Sequence, residues 1–173
     1  TDFGHGLITQ NLIEVLTKHA SFLAVNAQSN SANMGFNLIT KYPRADYVCV
    51  DLPEARLAVN DRTSDIELIT GQILPSHVDC RNIIVTSGKN GCCGYKDREP
   101  LAKIPAFTTD AVDTVGAGDA FFAVSAPMAA IGATIEQVAF IGNVAGALKV
   151  NIVGHRNAVE KVALLKAIQA LLK

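Results

Sequence analysis

At 173 residues the chain is long enough for one domain with a sizeable core. With 49% hydrophobic and only 18% charged residues, disorder over most of its length is excluded. The formal net charge is −1, so no basic excess points to nucleic acid or an anionic membrane as partner. The longest uncharged run, Ala120 to Ile135, carries Ser125, Pro127, Gly132 and Thr134 and falls short of the ~20 apolar residues that cross a bilayer. No basic start followed by an apolar signal segment is present.

In chain order, Asn11 to His19 places Leu12, Val15 and Leu16 on one face of a helix. Ser21 to Asn26 reads as a short buried strand, and the Ser- and Asn-rich stretch Ala27 to Asn33 as a loop. Tyr47 to Val50 is a second buried strand. Pro53 suits the first turn of a helix running to Val59, where its missing N–H is not needed. Asp65 to Leu74 reads as a helix and Asn82 to Thr86 as a third buried strand. Gly91 to Lys96 and Leu101 to Ile104 read as strands around a polar turn at Asp97–Arg98. After the loop Pro105 to Val115, helices are expected over Ala117 to Ile131, Ile135 to Val150 and Ala158 to Leu172. Pro127 predicts a kink or break between Phe122 and itself. Short buried strands alternating with helices indicate an α/β unit, a mainly parallel sheet with helices on both faces.

The cysteines Cys49, Cys80, Cys92 and Cys93 contain no C-x-x-C pair, and their plain reading is reduced thiols of a cytoplasmic protein. His77 and Cys80 have a spacing that could share a metal, but no second pair completes a site. Adjacent Cys92 and Cys93 would point to opposite faces of a strand.

The stretch that carries chemistry is Asp113-Thr114-Val115-Gly116-Ala117-Gly118-Asp119, followed at once by an apolar helix. Its glycines let the backbone turn tightly and approach a ligand. The helix start leaves N–H groups unpaired at the positive end of its dipole, which favours an anion, above all a phosphoryl group. Asp119 is placed there to accept a proton from an incoming hydroxyl, which is most of what phosphoryl transfer asks of a protein. Asp is also a common helix-capping residue and Gly-Ala-Gly a common turn, so the residues alone leave both readings open. Two other nucleotide motifs fail. Ile83 stands where a P-loop ending in Gly88-Lys89 needs its first glycine, and Phe121 stands where a dinucleotide fingerprint needs its third.

D-T-x-G-A-G-D before a helix of small and aromatic residues resembles the C-terminal signature of the PfkB (ribokinase-like) carbohydrate kinases. The resemblance implies a ribokinase-like three-layer α/β fold, ATP and Mg²⁺ as cofactors, and a small-molecule sugar or sugar phosphate as acceptor. It assigns the catalytic base to Asp119 and the anion hole for the transferred phosphoryl group to the amides of Gly116, Ala117 and Gly118. Asn26, at a strand end, resembles the family Asn near the ATP phosphates. Thr86 and Gly88 resemble the strand-end T-x-G bordering the nucleotide, and Asn143 resembles the late-helix Asn beside the adenine. Glu54 resembles the Glu of N-x-x-E that acts through the Mg²⁺-water network. The first position of that motif is Asp51, which adds a charge and removes two donors. Taken singly, each has a structural alternative: a strand-end hydrogen bond, an inter-helix contact or a first-turn acid.

Asp2-Phe3-Gly4-His5-Gly6-Leu7 resembles the D-Y-x-K-G-x-L segment of the heptose-phosphate branch, with His5 for Lys. The resemblance also points to Asp110 to Val115, with the region near Gly154, as a candidate monovalent-cation loop, but its residues are too unspecific to carry a prediction. The resemblance covers only the later part of a usual family member. It implies that the N-terminal strands, sugar-binding residues and lid lie outside this chain. That predicts a chain that is a poor kinase alone and prone to homo-oligomerise. Two alternatives stand beside the sugar kinase. One is a hydroxymethyl-pyrimidine or pyridoxal type kinase, disfavoured because no Cys follows Cys93. The other is a non-catalytic nucleotide-binding or assembly module, supported by Asp51 and His5.

Overall fold

The computed structural model describes residues 1–108, 112–154 and 157–173. One sheet runs in the order β1 (Ala24–Val25), β2 (Tyr47–Asp51), β3 (Asn82–Thr86), β4 (Cys92–Lys96) and β5 (Ala102–Ile104). β1, β2 and β3 pair in parallel, whereas β4 and β5 add on antiparallel. The α/β class holds, but the sheet is mixed where the alternation of elements predicted a mainly parallel one. Residues 87–91 and 97–101 are too few to carry a crossover, so the last strands return as hairpins. At the first of these turns Gly91 has φ +85, and a Cβ there would lie 1.9 Å from the Ile104 carbonyl oxygen. Only glycine fits that approach.

Period-two alternation divides β2 and β3 between two cores. Val48, Val50, Ile83 and Val85 face Ile13 of α1 (Gln10–His19), Ala55 of α2 (Leu52–Val59) and the helical segment 66–77. Tyr47, Cys49 and Ile84 face Phe121 of α5 (Ala117–Ala130) and Ile135, Val138 and Ala139 of α6 (Ile135–Lys149). Each fully buried Ile or Val on these faces stabilises by about 1.5–3 kcal/mol relative to exposure. Cys92 joins the second core, while Cys93, next along the strand, lies against Thr70 and Glu67 on the other side. All four cysteines are free and buried, and burial pushes the Cys80 and Cys92 thiols up to about 12. His77 and Cys80 do not share a ligand: His77 Nδ1 lies 2.9 Å from the Ile73 carbonyl, and Cys80 Sγ donates to the Asn82 carbonyl.

Several boundaries differ from expectation for identifiable reasons. β1 shrinks to Ala24–Val25 because only these residues find register with Tyr47 and Val48. The helix expected over Asp65 to Leu74 runs on as α3 (Ile66–Leu68), a π-helical stretch Ile69–Ile73 and α4 (Leu74–His77). Pro75 has no N–H for the Gly71 carbonyl and crowds it, and a widened turn accommodates both. At Pro127 no break occurs: α5 continues from Ala117 to Ala130. One lost ladder bond is offset by packing, with Phe121, Ser125 and Ala129 all buried and Ser125 hydrogen-bonded to Tyr47 at 2.7 Å. The last helix, α7 (Lys161–Leu171), starts later than expected, after an extended Glu160, and buries no residue. Among the described residues, no helix is long and apolar enough to cross a membrane.

Candidate active site

The three parallel strands end on one side of the sheet. Asn26 follows β1, Asp51 closes β2 and Thr86 closes β3. In open α/β sheets the carboxyl ends of the strands are where ligands bind. The N-terminus of α5 arrives at this edge. Its cap, Gly116, is left-handed with φ +77, a conformation that costs glycine little. The Ala117 amide donates to the Thr114 carbonyl at 3.2 Å, and the Ala120 amide to Gly116 at 2.9 Å. Among the described residues, the amides of Gly118 and Asp119 meet no acceptor. Gly116, Ala117 and Gly118 thus stand at an open helix start, as the motif predicts, although Ala117 spends its amide on a turn.

A cleft of about 350 Å³ opens beside this helix start. Thr86, Gly88, Lys89, Ala117, Gly118 and Asn143 line it, with Phe107, Phe121, Ala147 and Val150 as apolar lining. Asp51 also lines it. Asn143 Nδ2 donates to the Pro105 carbonyl at 2.5 Å, tying α6 to the segment after β5. Five of the expected site residues, Thr86, Gly88, Asn143, Ala117 and Gly118, therefore share one cavity.

Asn26 and Asp119 are joined next to it through the Gln28 side chain, and Glu54 is tied to the same loop through the Ser29 amide. Asn26 is buried and its Nδ2 donates to the Cys49 carbonyl at 2.8 Å. Gln28 Nε2 donates to Asn26 Oδ1 at 3.1 Å and to Asp119 Oδ1 at 2.8 Å. Glu54 and Asp51 form a capping box on α2: the Glu54 amide donates to Asp51 Oδ1 at 2.7 Å and the Asp51 amide to Glu54 Oε2 at 3.1 Å. Glu54 Oε1 also accepts from the Ser29 amide at 2.8 Å. Burial pushes the Glu54 carboxyl up against the pull of these backbone donors, and the charges of Asp51 and Asp119 push the same way. Burial likewise pushes Asp51 up. Gln28 and Ser29 were missed from sequence. They sit in a polar loop, and nothing in their spacing signals that a residue at 28 reaches one at 119.

The free amides and the open space beside Gly118 fit a phosphoryl group. Among the described residues, no group of three or more His, Cys, Asp or Glu is arranged to hold a metal directly. The Asp51 and Glu54 carboxylates suit Mg²⁺, which keeps several waters and takes one or two carboxylates plus substrate phosphates.

The two segments of the candidate cation loop meet. Asp113 Oδ1 accepts from the Val115 amide at 2.9 Å and Oδ2 from the Gly154 amide at 2.7 Å, while the Lys149 ammonium donates to the Gly154 carbonyl. Asp110 and Ala111 lie outside the described residues. At the other end of the chain Asp2 bridges to Ala27 in parallel, with its carboxylate held by Tyr42, Lys41 and the Gly4 amide. His5 is exposed, 3.4 Å from Asn30 Nδ2 and stacked on Phe3. The opening segment thus lies along the sheet edge beside the loop that carries Gln28 and Ser29.

Several known proteins resemble this chain. The bifunctional protein HldE of Pseudomonas aeruginosa is 25% identical over 170 residues, which is 98% of this chain and 35% of that protein. Inositol 3-kinase of Arabidopsis thaliana is 30% identical over 113 residues, 61% of this chain and 31% of its own. Phosphofructokinase-2 of Escherichia coli, solved with potassium, superposes with a TM-score of 0.77 at 18% identity over 95% of this chain and 52% of its own. Arabidopsis thaliana ribokinase, solved with ribose and ATP, gives 0.75 at 18% identity over 92% and 51%. The chain therefore spans about a third of the HldE proteins and about half of the solved structures. The structural likeness establishes the ribokinase-like fold. The sequence pattern described as pfkB family carbohydrate kinase matches residues 9–162, and the chain belongs to that family.

Proposed function

We propose that the chain is the nucleotide-binding, C-terminal part of a kinase domain that transfers the γ-phosphoryl group of ATP to a hydroxyl of a sugar or sugar phosphate. The observation that carries this reading is Asp119 at the start of α5, beside the free helix amides and next to Gly118, which lines the cleft, with one carboxylate oxygen bonded by Gln28. Asp119 accepts the proton of the acceptor hydroxyl as its oxygen bonds to phosphorus and the bond to the β-phosphate oxygen breaks. The helix start of Gly116, Ala117 and Gly118, with the Asp119 amide, faces the charge on the transferred group. Thr86, Gly88 and Asn143 border the nucleotide. Asn26 and Glu54 stand at its phosphate end, Glu54 acting on Mg²⁺ through water. Bound Mg-ATP supplies the phosphoryl group and the metal's charge neutralisation.

The test is ADP release by the intact protein with Mg-ATP and a panel of sugars and sugar phosphates, beside Asp119→Asn. Turnover that requires one acceptor and falls about 10²–10⁴-fold in the variant, with ATP binding retained, is expected. ATP binding with no acceptor-dependent turnover would instead establish a non-catalytic nucleotide-binding module.

A further inference from the structure

We infer that Gln28 is a positioning residue for the base, fixing one oxygen of Asp119 so that the other is presented to the acceptor. The inference rests on the kinase reading above and adds a residue that the signature motif does not contain.

The hydrogen-bond network determines which way each amide points. The Cys49 carbonyl can only accept, so Asn26 must turn its Nδ2 toward it, leaving Asn26 Oδ1 as an acceptor. Gln28 then faces two acceptors, Asn26 Oδ1 at 3.1 Å and Asp119 Oδ1 at 2.8 Å, and its Nε2 has two hydrogens to give. Both are spent, so the side chain has one satisfied orientation.

The backbone beneath it is held as well. The Gln28 amide donates to the Asp2 carbonyl at 2.8 Å, and its carbonyl accepts from Asn37 Nδ2 at 2.9 Å. Asn37 is buried and gives its second amide hydrogen to the Asp2 carbonyl at 2.8 Å. A polar loop residue is thereby fixed at its amide, its carbonyl and its side chain.

The contact spans 91 positions in sequence and joins the end of the sheet to the start of α5. Asp119 Oδ2 takes no donor among the described residues. A carboxylate with one oxygen pinned and one open is oriented before the acceptor arrives. Orientation of this kind lowers a barrier without adding to nucleotide binding. A hydrogen bond to an ionised group contributes about 1.5–3 kcal/mol, which corresponds to a factor of about 10–100 in rate if it is expressed in the transition state.

Three variants of the intact protein test this: Gln28→Met, which keeps the length and removes the donor; Gln28→Glu, which keeps the shape and sets an acceptor against the carboxylate; and Gln28→Met combined with Asp119→Asn. Steady-state kinetics with whichever acceptor the sugar panel identifies should show kcat falling about 10–100-fold in Gln28→Met and at least as far in Gln28→Glu. KM for ATP should stay within about twofold, because Gln28 does not line the cleft and Asn26, which loses one partner, keeps its bond to the Cys49 carbonyl. In the Asp119→Asn background Gln28→Met should cost nothing further, since a residue acting only through Asp119 has no effect once the base is gone. A loss that multiplies with Asp119→Asn, or an unchanged kcat in Gln28→Met, would overturn the inference and leave the kinase reading standing. Absence of acceptor-dependent turnover in the unsubstituted protein would remove the kinase reading, and this one with it.

Discussion

Along the cleft, the wall built from Gly88, Ala117 and Gly118 offers backbone and small side chains to a ligand, with amides left open at the start of α5. Next to it, Asn26, Gln28, Ser29, Glu54 and Asp119 form a region of side-chain hydrogen bonds in which most polar atoms already have partners. The first region works by what it omits and the second by what it connects. Bulk added to the wall should therefore damage ligand binding without damaging the fold. Changes in the connected region should alter chemistry or stability while leaving the wall intact.

Gly118→Ala presses hardest on this contrast. Gly118 has no positive φ, and a Cβ there would meet nothing within 4 Å, so the free protein accepts it. Alanine in place of glycine in a helix stabilises by up to about 1 kcal/mol. The same methyl enters the space assigned to the phosphoryl group, and overpacking of that order costs about 1–3 kcal/mol, or about 5–150-fold in affinity. Titration with Mg-ATP should show that weakening while the melting temperature holds or rises. Unchanged ATP affinity would mean that the phosphoryl group lies elsewhere.

Gly142→Ala should do the opposite. Gly142 lies on α6 against α5, and a Cβ there would come within 2.5 Å of the Phe121 ring. Phe121 is buried in the second core and borders the cleft, so ring and methyl cannot both keep their places. Parting the helices or displacing the ring costs about 1–3 kcal/mol in stability. Denaturant unfolding should show that loss, with ATP affinity little changed at temperatures where the protein is folded. Affinity that falls in parallel with stability would show that the cleft depends on the α5–α6 spacing more closely than the contrast allows.

The same division explains what could be read from the sequence. Apart from Gly88, the wall comes from the contiguous stretch Gly116-Ala117-Gly118, whose turn and open amides follow from local chemistry. The strands Tyr47–Asp51 and Asn82–Thr86 were legible because buried strands are short continuous apolar runs. The hairpin half of the sheet was readable as strands but not as antiparallel, because direction depends on how the connection closes. At Pro127 the local cost of proline was visible, while the packing that keeps α5 unbroken through it was not. Gln28 was illegible for a stronger reason: a glutamine in a polar loop acquires a role only when folding brings position 119 to it. Glu54 was legible through its motif, but its reciprocal cap with Asp51 is a second task that the motif does not announce.

Asp51 lies where the two regions meet, and the smallest expected effect is found there. It caps α2 through Oδ1 and also lines the cleft. Burial pushes its carboxyl up, which means that loss of water outweighs the benefit of the cap to the charged form. A carboxyl whose folded value is raised binds its proton more tightly in the native state, so stability falls as pH rises through the window above the usual carboxylate value of 3.8. Asp51→Asn keeps a side chain of equal capping quality and removes the charge. It also removes one of the like charges that push Glu54 up, so the loss contributed by Glu54 should shrink too. Because Asp51 is still open to solvent at the rim, the gain near neutral pH should be about 0.5 kcal/mol or less, roughly 1–2 °C in melting temperature. Melting curves from pH 4 to pH 8 should show the two proteins converging at the acid end, where Asp51 is protonated, and separating as pH rises. Separation that grows toward acid would mean that the ionised Asp51 stabilises the native state, and that its charge belongs to the connected region rather than to the open wall.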